Sequence, residues 1–124
     1  MKAINTDNAP AAIGTYSQAI KTKGLVFISG QICVDPKTKK MVSDQFDEQA
    51  TQVFKNLKAV SDASGGSLKK IAKLTVYLTD LGDFASLNEI MSQFIEAPYP
   101  ARAAVEVKAL PLGAKIEIEA IMVE

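Results

Sequence analysis

The chain has 124 residues, 48% of them hydrophobic and 23% charged, with 14 basic and 14 acidic side chains. That length suits one domain, which at this size buries roughly two-thirds of its unfolded surface, and a net charge of zero exerts no general pull toward nucleic acid or anionic lipid. There is no histidine and only one cysteine, Cys33, which excludes Ser-His-Asp and Cys-His nucleophile pairs, HExxH zinc sites, two-His-one-carboxylate iron sites and an internal disulfide.

Taken in chain order, Ala3 to Asn5 is a possible short strand. Ser17 to Lys21 and Leu25 to Ile32 (LVFISGQI) read as a hairpin turning through Lys21 to Gly24, because the second segment is β-branched and aromatic and follows a glycine. Asp35 to Lys40 is a polar turn. Asp44 to Ser64 reads as a helix: Phe46, Ala50, Val53, Phe54, Leu57 and Val60 recur at three- and four-residue spacing and form one apolar stripe. Ser43 or Asp44 is the expected cap, Asp47 and Glu48 suit the positive end of the dipole, and Gly65-Gly66 stops the helix. Ile71 to Thr79 (IAKLTVYLT) is a second core strand.

A second amphipathic helix is predicted over Asp83 to Ile95, with Phe84, Leu87, Met91 and Phe94 inward. Glu96-Ala-Pro-Tyr-Pro ends it, since proline lacks an N–H and restricts the residue before it. Ala103 to Lys108 is a short strand, Leu110 to Gly113 a turn, and Lys115 to Val123 (KIEIEAIMV) the final strand. The order is β-β-α-β-α-β-β, and the simplest packing lays both helices on one face of a mixed sheet. In the last strand Ile116, Ile118, Ala120 and Met122 point one way, while Lys115, Glu117 and Glu119, then Ile121 and Val123, point the other. A face that is part carboxylate and part aliphatic suggests an oligomer interface beside a polar site; a solvated sheet face is the alternative.

No apolar run follows Lys2, so no signal peptide is expected, and no stretch approaches the roughly 20 apolar residues of a membrane span. With the lone cysteine, this leads us to expect a cytoplasmic protein without a membrane partner.

Few residues remain to carry chemistry. Arg102 follows Tyr99-Pro100-Ala101 and is a candidate anion anchor, because arginine clamps a carboxylate through two parallel hydrogen bonds. Glu117, and Glu119 beyond it, could orient or deprotonate water. Asn88 lies at the edge of the second helix's stripe, and Tyr16 and Ser29 flank the first strand pair. Each has an ordinary structural reading as well: a paired surface arginine, a wet strand face, a loop cap. Ser29 has no activating base, and Cys33 reads as a small core residue.

As a set, these residues are similar to one family. Asn8-Ala-Pro-Ala-Ala-Ile-Gly-Thr-Tyr-Ser-Gln-Ala19, Ile28-Ser-Gly-Gln-Ile32, Asp83-Phe-Ala-Ser-Leu-Asn88, Pro100-Ala-Arg-Ala-Ala-Val-Glu-Val107 with Leu110-Pro111, and Ile116-Glu-Ile-Glu-Ala120 resemble, in order, the conserved blocks of the RidA (YjgF) family, the reactive-intermediate deaminases. The resemblance runs nearly end to end. It implies a single RidA-like domain over residues 1–124 with an α+β, chorismate-mutase-like fold. It also implies a homotrimer with sites between subunits and no cofactor or metal. The implied activity is hydrolysis of 2-imino and enamino acids, such as 2-aminoacrylate and 2-iminobutyrate, to 2-oxo acids and ammonia. By position, Arg102 would bind the substrate carboxylate and Glu117 would hold the attacking water. Tyr16, Ser29 and Asn88 would line the site, and Gly30 and Ala104 would contribute backbone groups. Many members have Cys at Ala104, Pro at Thr15 and Pro at Cys33, which bears on substrate preference. Two other readings compete: an RNA-directed translation inhibitor or ribonuclease, and a non-catalytic 2-oxo acid, amino-acid or chaperone-like module. Zero histidines, zero net charge and no basic–aromatic strip argue against RNA as the main partner. Glu117, expected beside Arg102, argues for catalysis over mere binding.

Overall fold

The computed structural model describes all 124 residues. Six strands form one mixed sheet in the order β1-β2-β3-β6-β4-β5. They are β1 (Lys2–Ile4), β2 (Ala19–Thr22), β3 (Leu25–Gln31), β4 (Ile71–Leu78), β5 (Ala101–Glu106) and β6 (Ile116–Val123). The helices are α1 (Phe46–Ala63) and α2 (Phe84–Met91). No helix is long and apolar enough to cross a membrane.

The hairpin forms as expected, β2 turning into β3 through Lys23 and Gly24. Both carry positive φ (50° and 79°), the mirror-image turn that suits strand twist. The final strand then inserts between β3 and β4, antiparallel to both, and β5 lies parallel to β4 on the outer edge. The β4–β5 connection passes through α2, as a parallel pair requires.

The long helix keeps its predicted stripe: Phe46, Ala50, Val53, Phe54, Leu57 and Val60 are all buried, against Val26, Ile28, Leu74, Val76, Ile116, Ile118 and Met122 of the sheet. Its end is also as predicted. Gly65 takes φ +87°, its N–H donates to Asp62 O and that of Gly66 to Ser61 O, closing a Schellman motif. Its start differs. The cap is Gln45, without a side-chain cap bond, and the Ser43 hydroxyl instead accepts from Gln45 N at 2.8 Å, so the helix begins two residues after Asp44. A local side-chain turn has won over the capping position.

The second helix is shorter than predicted. A 3-10 turn at Leu81–Asp83, capped by Asp80, leads into α2, and α2 ends at Met91. Leu87 and Met91 are buried, and half-buried Phe94 stacks on Phe54 at 5.4 Å. Phe84 is not inward; it is an exposed side chain of the helix start. The fifth strand begins at Ala101, so Arg102 lies inside it.

Three polar residues that composition gave no reason to place inside are buried as pins. Asn56 donates to the carbonyls of Ile32 and Val34 (3.1 and 2.9 Å) and accepts from Gln52. Gln49 bridges Ser43 O to Lys115 N. Gln18 accepts from Thr6 N and donates to the carbonyls of Thr6 and Pro10, holding the N-terminal segment. Each satisfies backbone groups that would otherwise be buried unpaired.

One sheet face carries the helices and the other is open. Leu74, Val76, Leu78, Ile116, Ile118, Ala120 and Met122 face the helices and are buried. Thr75, Tyr77, Glu117, Glu119 and Ile121 alternate with them, and Phe27, Val105 and Val123 are exposed. This is the mixed polar and aliphatic face expected of the last strand.

Candidate functional site

Register decides what each candidate side chain can reach. In β5, Arg102 is paired with Leu74 and Ala104 with Val76, and both partners face the helices. Cross-strand partners share a face, so Arg102 and Ala104 lie on the helix side of the sheet, under α2. In β6, Glu117 is paired with Tyr77, and Tyr77 with Val105. Glu117 therefore lies on the open face. Within one chain, Arg102 and Glu117 are on opposite sides of the sheet with β4 between their strands.

Around Arg102 the structure builds an anion-binding half. Its Nη1 donates to Asn88 Oδ1 at 2.7 Å and to Met91 Sδ at 3.6 Å, and its Cζ lies 5.0 Å from the centroid of the Phe84 ring. Phe84, Asn88 and Met91 occupy positions i, i+4 and i+7 of one helix, so a single face of α2 grips the guanidinium. Stacking on the ring and the two Nη1 contacts hold the planar group in one orientation. Its Nη2 and Nε have no protein partner, which leaves a two-donor edge of the guanidinium unused. Asn88, Met91, Ser92, Tyr99, Pro100 and Arg102 line a cleft of about 350 Å³ there. Ala104 sits two residues further on, half-buried against the core.

The second half lies across the sheet. The ladder between β3 and β6 shifts register between Ile28 and Gln31, placing Ser29 and Gly30 at an irregularity. Ser29 is tied back to the segment before β2: its hydroxyl donates to Ser17 O at 2.5 Å and its N–H to Gln18 O at 3.0 Å. Tyr16, beside Ser17, is exposed. Gly30 meets Glu117 directly, because a Cβ at Gly30 would lie 2.6 Å from Glu117 Oε2. Gly30 and Glu117 thus form one neighbourhood, with Ser29 next to Gly30 in the chain and tied to Ser17, the neighbour of Tyr16. The expected adjacency of Glu117 and Arg102 does not occur within the chain.

Glu117 is held above its ordinary proton affinity, first by partial burial and then by the charge of Glu119. No protein donor reaches its carboxylate. Glu119 is different, since Tyr77 Oη donates to its Oε1. No group of three or more His, Cys, Asp or Glu side chains is placed to hold a metal ion.

Sequence reasoning missed Phe84, Met91 and Tyr77. The first two were legible as the i, i+4, i+7 companions of Asn88. Tyr77 was not, because its place opposite Glu117 depends on the β4–β6 register.

The contact at Gly30 gives an expected result. Gly30→Ala should leave the protein folded, because Glu117 is a flexible half-exposed side chain, but should push its carboxylate aside. For a group that acts on a bound substrate, a misplacement of about 1 Å can cost roughly 10²-fold in rate. Circular dichroism and turnover, compared with wild type, check both halves of this expectation.

Comparison with known proteins follows the same lines. The family model described as Endoribonuclease L-PSP matches residues 6–124. The RutC family protein y4sK of Sinorhizobium fredii is 55% identical over 119 residues, covering 96% of this chain and 94% of that protein. The 2-iminobutanoate/2-iminopropanoate deaminase of Mus musculus is 44% identical over 123 residues, covering 99% and 91%. Among solved structures, RidA from the Antarctic bacterium Psychrobacter superposes with a TM-score of 0.97 at 52% identity, covering all of both chains. TdcF of E. coli with bound serine gives 0.95 at 44% identity, covering 100% of this chain and 99% of that one.

Proposed function

The chain belongs to the RidA family, matched by the Endoribonuclease L-PSP model, and from that premise we propose that it hydrolyses 2-imino acids and their enamine tautomers to 2-oxo acids and ammonia. The observation that carries this reading is the Arg102 guanidinium, fixed on one side by Asn88, Met91 and Phe84 with its Nε and Nη2 edge free. That edge fits a planar carboxylate. The relative whose structure holds serine binds an α-amino acid, which shares a carboxylate and a C2 nitrogen with an imino acid.

Arg102 and Glu117 face opposite sides of the sheet, so a site using both takes Arg102 from one copy and Glu117 from the next. Joining two different patches in this way is a heterologous contact, which gives a ring where the rotation between copies closes. The homotrimer implied by the family resemblance is such a ring, and it would cover the open face with its exposed Phe27, Val105 and Val123.

In the site so formed, the carboxylate of the imino acid lies on Arg102. A water held by Glu117 of the neighbouring copy attacks C2, its proton passing to the carboxylate of Glu117. Glu117 returns that proton to the carbinolamine nitrogen, the C2–N bond breaks to release ammonia, and the hydroxyl gives up its proton to water or the departing ammonia as the C2–O bond becomes a carbonyl. No histidine is required, because a protonated imine is already electrophilic and hydrolyses spontaneously. Orientation and one general base need supply only a few kcal/mol, at about 1.4 kcal/mol per tenfold in rate.

The test couples threonine dehydratase, which releases the imine, to semicarbazide, which traps it. Added protein is expected to suppress semicarbazone formation. If several imino acids show no suppression, the catalytic reading fails and a small-molecule binding role replaces it. Cleavage of RNA under the same conditions, surviving in the Arg102→Ala protein, would favour the RNA-directed reading instead.

A further inference from the structure

The mechanism above uses Glu117 and leaves its two neighbours, Glu119 and Tyr77, without a task. They are not placed at random. Glu117 and Glu119 project from the same face of β6, two residues apart. Tyr77 of β4 is the cross-strand partner of Glu117, not of Glu119, whose partner is Thr75. The phenol nevertheless leans along the sheet and donates to Glu119 Oε1. The hydroxyl nearest to Glu117 in the ladder is thereby used up by the next carboxylate along.

Resting on the imine-hydrolase reading, we propose that Glu119 and Tyr77 are a positioning pair for Glu117: Glu119 accepts the phenolic O–H hydrogen bond, which leaves the Glu117 carboxylate without a protein donor and free to accept from water. A carboxylate that accepts hydrogen bonds from protein groups is a weak base, because those bonds favour its charged form. One that is half-buried, donor-free and beside a second negative charge is a stronger one. Both influences act on Glu117, with burial the larger and Glu119 the second.

The other groups around Glu117 do not compete for this role. From β3 it is met by Gly30, and the hydroxyl of the adjacent Ser29 is committed to Ser17 O. From β4 it meets Tyr77 and, further along, Thr75 and Lys73. Lys73 is paired with Ile121 and lines a separate cleft of about 250 Å³ with Glu119. Lys115 precedes β6 by one residue, and its charge acts on Asp83. Arg102 of a neighbouring copy, once apposed, draws the proton affinity of Glu117 down. Glu119 opposes that pull, and the substrate carboxylate cancels it on binding.

The pair is tested with two readouts on the full chain, one of them independent of turnover. The first is a carbon-detected NMR titration of the Glu117 side-chain carboxyl. The second is the acid limb of the kcat/KM profile, where Glu117 must be ionised to act as base. A raised proton affinity places that limb at higher pH, and lowering the affinity moves it down. Glu119→Gln removes the charge, so the Glu117 midpoint and the acid limb should both move to lower pH. Tyr77→Phe removes the donor and leaves the Glu119 charge unshared, so both should move to higher pH. A merely structural role would lower activity evenly at all pH values and move neither midpoint. If the Glu117 midpoint is the same in wild type and both variants, the proposal is overturned. It is also overturned if the midpoint moves and the acid limb does not. If Glu119→Gln fails to fold, the downward shift expected in Glu119→Ala decides, because a Tyr77 that donated to Glu117 itself would give the same upward shift in Tyr77→Phe. Absence of turnover in the wild type defeats the function reading, while the NMR midpoints still report whether the pair acts on Glu117.

Discussion

Arg102→Ala is expected to lower kcat/KM for 2-imino acids by roughly 10²- to 10⁴-fold, the equivalent of two hydrogen bonds between charged groups at about 1.5–3 kcal/mol each. Most of the loss should appear in substrate binding, because the guanidinium holds the carboxylate in ground and transition states alike. The fold should survive. Arg102 is half-exposed at the sheet edge, and its protein contacts are one hydrogen bond to Asn88, a sulfur contact with Met91 and the Phe84 ring. Arg102→Lys should rescue poorly, since an ammonium cannot present the side-on pair of donors and cannot stack as a plane on the ring. Steady-state kinetics with a thermal melt for each variant checks this. Wild-type-like kinetics in a folded Arg102→Ala protein would remove the anchor from the account.

Glu117→Gln should behave differently. The amide is nearly the same size, keeps the contact with Gly30 and can still touch water, but it cannot take a proton. Loss of a general base costs typically 10²- to 10⁴-fold, and here the loss should fall on kcat with KM little changed. The wild-type rate should fall as pH drops through the Glu117 midpoint, which burial and Glu119 raise above a glutamate's ordinary value; the residual rate of Glu117→Gln should lack that limb. A retained acid limb in the variant would assign it to another group.

Much of the fold was legible because its signals are local. The α1 stripe, its Gly65-Gly66 stop and the two-faced last strand each follow from spacing or from one residue's conformational freedom. The strand order was not legible, since insertion of β6 between β3 and β4 is set by long-range pairing. The candidate residues stood out one by one in the sequence, but their grouping did not. Which side of the sheet Arg102 and Glu117 occupy depends on cross-strand register, and a one-residue slip in either strand would reverse it. Phe84 was misread for a related reason. At the first turn of α2 its spacing matches the buried stripe, yet the helix ends beyond the core there and the ring serves the guanidinium instead. Gln18, Gln49 and Asn56 gave no local sign of burial, because their partners are backbone groups distant in sequence.

The division of the candidate site between two faces of one sheet makes the central claim testable with two inactive proteins. Arg102→Ala and Glu117→Gln are co-expressed in equal amounts, so that mixed oligomers assemble, and semicarbazone suppression is measured. A site shared between copies needs its Arg102 from a Glu117→Gln subunit and its Glu117 from an adjacent Arg102→Ala subunit. Each condition holds half the time, so about a quarter of the sites in a ring of copies are intact and activity should return to about a quarter of wild type. No recovery, with both variants folded and mixed oligomers present, would contradict the account, because it would mean that Arg102 and Glu117 do not meet across an interface to hydrolyse an imine.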